Sequence, residues 1–170
     1  MPSIPTDPSN SLCSSCGICC DGTLFHSVLL QPNDSATSLS ALGLILKRKK
    51  GALSFRQPCP AHQNSQCGIY ENRPHRCRLF QCQQLLQVSS GTLSQTQALE
   101  TIRSTREKIK QVDQLIGKIT ETNSSHGLTQ RAATALAATP TTPLHSDLTL
   151  AMDELNQTLN QQFRVPEESR

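Results

Sequence analysis

The sequence predicts an α+β fold: a small cysteine-rich, metal-stapled domain with short strands and a helix, followed by an α-helical C-terminal extension. Three observations lead there. All eight cysteines lie between Cys13 and Cys82, and none occurs in the last 88 residues. Between them run short apolar and β-branched stretches of strand length. Beyond residue 90, apolar residues recur every three or four positions, the period of a helix with one buried stripe. In 170 residues only 3% are aromatic, with no Trp and one Tyr. That is little material for a large core, and domains so poor in core take a metal or disulfides as a staple.

Taken in order, residues 1–12 read as a loose polar tail with three prolines. The cysteine domain follows over 13–90. Within it, "TLFHSVLL" (23–30) is a short strand. "PNDSATSLSALG" (32–43) is a short helix, with Asn33 or Asp34 to accept its first N–H groups and Gly43 to take the left-handed turn at its end. "LILKRKKGALSFR" (44–56) gives two strands about a turn at Lys49, Lys50 and Gly51. The helical extension spans 91–164. Leu99, Ile102, Ile109, Val112, Ile116 and Ile119 form one stripe on a long helix over 91–120, capped by Thr92 or Ser94, each with Gln three positions on. "NSSHG" (123–127) breaks it, 128–138 resumes it, and 139–146 is a linker with two prolines. The last helix, 147–163, carries Leu148, Met152, Leu155, Leu159 and Phe163, and 165–170 is a tail. The stripes either pack within the chain or offer a seam to a protein partner; three heptads are too few for a coiled coil.

Composition narrows the partners. A net charge of +3 is too mild to call for nucleic acid or a membrane surface. No basic start with an apolar stretch opens the chain, and no segment is apolar for long enough to span a bilayer. The expected compartment is a reducing cytoplasm, where eight cysteines paired as disulfides would be unusual.

The cysteines come in two groups: Cys13, Cys16, Cys19 and Cys20 in "CSSCGICC", and Cys59, Cys67, Cys77 and Cys82 further on. Two or three ligands from a tight turn cost little loop entropy, and a distant segment supplies the rest. Tetrahedral zinc and cubane iron–sulfur clusters both accept cysteines three apart with Gly17 between. Adjacent side chains diverge, so Cys20 serves either a second centre or a small apolar packing role. Buried thiolates around a divalent ion need cationic neighbours, and Arg73, Arg76 and Arg78 bracket Cys77. His62 and His75 lie among the cysteines as alternative donors, whereas His26, His126 and His145 read as ordinary polar residues. Asp21 either caps backbone N–H groups or stands at an open iron position. "KRKK" (47–50) is a solvated turn.

"CSSCGICCDGTLF", "QPCPAH" and "CGIYENRPHRCRLFQC" in that order resemble the YkgJ-like CxxCxxCC cysteine-cluster proteins over residues 13–86, a family described as a zinc- or iron-chelating domain or an iron–sulfur-cluster-containing protein. By that resemblance all eight cysteines fall on family positions. It implies a metal centre, iron–sulfur or zinc, in a bacterial cytoplasmic protein with a redox or accessory role, and names no reaction. Flagellin lysine-N-methylases look related through a similar cluster, which makes a metal-dependent protein-modifying enzyme the alternative, alongside a purely structural zinc scaffold. The chain has no glycine-rich nucleotide loop, G-x-S-x-G turn or P-loop to support catalysis.

Overall fold

The computed structural model describes residues 8–165. The fold is mixed α+β, with two small antiparallel sheets among the cysteines and long helices toward the C-terminus. The expected tail at 1–12 lies outside the described residues as far as residue 7. From there helix α1 (Pro8–Cys16) runs into the first cysteines. The residues after 165 likewise lie outside the description.

Strand β1 (Ser27–Leu29) pairs with β3 (Ala52–Arg56), which pairs with β2 (Leu46–Lys49), giving the order β1-β3-β2. Lys50 and Gly51 both have positive φ, the two-residue turn whose twist matches a hairpin. A second hairpin joins β4 (His62–Gln63) to β5 (Gln66–Cys67) through Asn64 and Ser65, again both at positive φ. No Asn-Gly signal marked it in the sequence. Its register sets His62 opposite Cys67.

Helix α2 (Ala36–Ala41) is capped by Ser35, not by Asn33 or Asp34. Asp34 is engaged elsewhere: it accepts the N–H of Gln31 at 2.7 Å and that of His75 at 2.8 Å, which pins the start of α3 (His75–Leu79) and so the position of Cys77. Gly43 ends α2 at φ +93°, where the Leu44 N–H returns to the Leu39 carbonyl and both leucines bury together.

The helical part begins with α4 (Gln83–Ser89). Helix α5 (Gln95–Ile119) starts on Ser94, whose hydroxyl accepts from Gln97 N–H while the Gln97 side chain accepts from Ser94 N–H. Next come α6 (Leu128–Leu136) and α7 (Pro143–Gln162). Helix α7 opens four residues earlier than expected, because a proline in the first turn lacks only an N–H that would be unpaired anyway. His145 is buried, not an ordinary loop residue: its ring nitrogens meet Thr142 and the Ala138 carbonyl, tying α6 to α7.

Two cores result. The larger joins α1 and α4–α7 through Leu12, Ile18, Leu85, Ile102, Val112, Ile116, Leu148, Leu155 and Phe163, so the α5 stripe is covered within the chain. The smaller holds Leu39, Leu44, Phe55 and Ile69 beneath the sheet. Among the described residues no helix is long and apolar enough to cross a membrane.

Candidate metal centre

Six of the eight cysteines pack against one or other of the two cores. Cys16 closes α1, and Gly17, at φ +66°, turns the chain out of the helix. The next residues coil tightly, with the N–H groups of Cys20 and Asp21 both directed to the Gly17 carbonyl. Gly17 has no alternative at this place. A Cβ there would sit 2.5 Å from His62 Nε2 and 2.6 Å from its Cε1.

Two hydrogen bonds stitch this turn to the second cysteine group. The Cys59 N–H donates to the Cys20 carbonyl at 2.8 Å, and buried Gln57 donates through Nε2 to the Cys19 carbonyl at 3.1 Å. Cys67 arrives on β5 and Cys77 on α3. Cys82 stands at the N-cap of α4, whose own start is anchored by the Gln83 N–H on the Phe163 carbonyl at the end of α7.

All eight are thiols, with no disulfide. Seven are partly buried and Cys13 is exposed. Cys16, Cys19 and Cys82 pack on the larger core; Cys59, Cys67 and Cys77 pack on the smaller one. Cys19 and Cys20 do not diverge: their sulfurs are 3.6 Å apart. A tetrahedral ion with metal–sulfur bonds of about 2.3 Å sets its sulfurs about 3.8 Å apart, so the coil after Gly17 overrides the expected splay of neighbouring side chains.

Burial pushes the Cys16 and Cys77 thiols up to about 12. Burial likewise raises Cys59 and Cys82, and for Cys19 the hydrogen bond with Cys20 leads, with burial next. Partly desolvated thiols packed this closely resist ionising unless a cation is among them. Among the described residues, no three His, Cys, Asp or Glu side chains are already closed to metal-binding distance. The donors match a thiophilic ion in type.

The arginines correct the sequence reading. Of the three around Cys77, Arg73 has a charge that favours its thiolate; it stacks on Tyr70 with 3.7 Å to the ring centre. Arg76 and Arg78 are exposed on the short α3, and Arg78 donates through Nε to the Arg73 carbonyl at 2.8 Å. The cation near the first cysteine group is Arg106 of α5, which the sequence reading missed. Its Nη1 pairs with Asp21 at 2.6 Å, and its charge reaches Cys16. Asp21 also caps, accepting the Thr23 N–H at 2.9 Å. Arg106 lies between Ile102 and Ile109 on the apolar stripe, and a charge interrupting that stripe was the available signal. His75 is exposed, whereas buried His62 Nε2 has no hydrogen-bond partner and burial lowers its pKa.

Residues 12–114 match the family model CxxCxxCC, described as "Putative zinc- or iron-chelating domain". The chain belongs to this CxxCxxCC family. The matched span passes residue 90 and includes Arg106, so it takes in most of α5, the helix paired with Asp21 of the cysteine turn. No curated protein and no solved structure matches the chain significantly.

Replacing Arg106 by Ala is expected to cost about 1 kcal/mol, the upper end for a partly exposed ion pair. Metal loss to a competing chelator is expected to speed up about tenfold, the lower end for a neighbour that orients ligands. Thermal melting and chelator competition check both, with Arg106→Lys recovering part of each.

Proposed function

We propose that this CxxCxxCC protein chelates iron or zinc through its cysteine thiolates, in a centre that draws on both cysteine groups. The observation that carries this reading is the bond from the Cys59 N–H to the Cys20 carbonyl, which ties the two cysteine groups together, and seven of the eight thiols are partly buried. One tetrahedral ion uses four sulfurs. Seven partly buried thiols exceed what one such ion uses, which favours a polynuclear centre, either an iron–sulfur cluster or more than one ion.

On this reading Cys16, Cys19, Cys20, Cys59, Cys67, Cys77 and Cys82 supply thiolates and exposed Cys13 stands at the edge of the set. Arg73 and Arg106 offset the negative charge. A redox or accessory role follows if the metal is iron in a cluster; a scaffold role follows if it is zinc alone. The domain scheme is part of the proposal: the metal holds the cysteine part and the helices act as its buttress.

The test is anaerobic purification with iron, zinc and acid-labile sulfide measured on the same sample. Metal bound in stoichiometric amount is expected, and sulfide alongside iron marks the cluster. Metal-free protein whose thiols have paired as disulfides would overturn the proposal.

A further inference from the structure

Beside the cysteine turn lies a cavity of about 380 Å³ that metal chelation does not use. That is the small end of the range for ligand pockets, ~300–1,000 Å³. Three segments wall it. The cysteine turn contributes Asp21, and helix α5 contributes Arg106, Lys110 and Asp113. His126 and Arg131 come from the start of α6 and the loop before it. That loop is pressed against the turn, where a Cβ on Gly127 would stand 2.9 Å from the Gly22 carbonyl oxygen. The walls are therefore set in the fold. Pro58, Ile109 and Leu128 add apolar surface.

The charges in this cavity do not cancel. Arg106 pairs with Asp21 at 2.6 Å and Arg131 pairs with Asp113, which engages both carboxylates. Lys110 lies one turn beyond Arg106 on the same face of α5, a placing of like charges that weakens a helix. Among the described residues its ammonium has no ion-pair or hydrogen-bond partner, and the His126 ring has none either. A cation and a second donor thus face a preformed space with an apolar side.

We infer that this cavity binds a small organic anion, its carboxylate or phosphate group held by Lys110 and His126 and its apolar part against Ile109, Leu128 and Pro58. An ammonium and an imidazole N–H both donate to such a group, and bonds to a charged acceptor are the stronger kind. Arg106 and Arg131 keep their carboxylates and hold the walls in place. The inference goes beyond the chelation reading and does not depend on it. Asp21 follows Cys20 and Pro58 precedes Cys59, so the anion lies against the segments that the bond from the Cys59 N–H to the Cys20 carbonyl ties together.

The experiment is isothermal titration calorimetry of the full chain, purified anaerobically, with phenyl phosphate and with benzoate. Each probe carries one anionic group on an apolar ring. Saturable one-to-one binding of at least one is expected, and the tighter of the two names the anion. Lys110→Gln should weaken it about tenfold, as for the loss of one hydrogen bond between charged groups. Lys110 is exposed, so the melting temperature should stay in place. Lys118→Gln, on the same helix and outside the cavity, should leave binding as it was. No saturable binding of either probe would overturn the inference, and so would equal affinity in Lys110→Gln. Inorganic phosphate bound as tightly as phenyl phosphate would contradict the apolar contact and with it the organic ligand.

Discussion

Stripping the metal with a chelator under reducing conditions is expected to melt the part between residues 26 and 82 and to leave α5–α7 helical. The asymmetry follows from where the apolar side chains are. The smaller core has four buried residues, Leu39, Leu44, Phe55 and Ile69, and Cys59, Cys67 and Cys77 make up part of its wall. Cores of that size rarely supply more than ~3–5 kcal/mol, and the strands above it are two to five residues long. Structural zinc contributes on the order of 10 kcal/mol in small domains, which makes metal binding and folding one equilibrium. The larger core, by contrast, packs α5 on α7 and α6 without Cys59, Cys67 or Cys77. Far-UV circular dichroism should therefore keep most of its helical signal after chelation, while limited proteolysis opens sites between 26 and 82. An unchanged cleavage pattern in fully metal-free protein would show that the sheets stand by themselves.

Gly17→Ala is expected to be the most damaging small substitution at the turn. A side chain at φ +66° costs about 1–2 kcal/mol. The added Cβ would also lie 2.5 Å from His62 Nε2, with Arg106 Nη2 at 3.1 Å, and overpacking of this kind adds about 1–3 kcal/mol. The His62 ring must swing aside, and the strained backbone at residue 17 shifts the turn that carries Cys19. The melting temperature and the metal content should fall together. The double variant Gly17→Ala with His62→Ala should recover the collision and not the backbone strain. A single variant with wild-type stability and full metal content would mean that the turn is not held as described.

What the sequence disclosed follows from how local each signal is. A capping Ser or Thr with Gln three residues on announces a helix start within four residues, and of the two candidates Ser94 is the cap. The expected hairpin forms, but its turn is Lys50-Gly51, and residues 47–49 belong to β2, not to the turn. The cysteines identify themselves as candidates by type and spacing. What failed depends on contacts distant in the chain. Asp34 reads as a cap until His75, forty-one positions later, claims its carboxylate. Arg76 and Arg78 resemble partners of Cys77 but are exposed on the short α3, and Arg106 supplies a cation eighty-five positions from Asp21. Cys19 and Cys20 misled for a different reason: the divergence of adjacent side chains holds for extended backbone, and the coil after Gly17 is not extended.

X-ray absorption at the edge of the bound metal, on protein kept anaerobic throughout, tests the central claim most directly. A first shell made of sulfur, at about 2.3 Å if the metal is zinc, is expected, and it should lose sulfur in Cys19→Ser. A shell of nitrogen and oxygen alone would contradict a centre built on these thiolates.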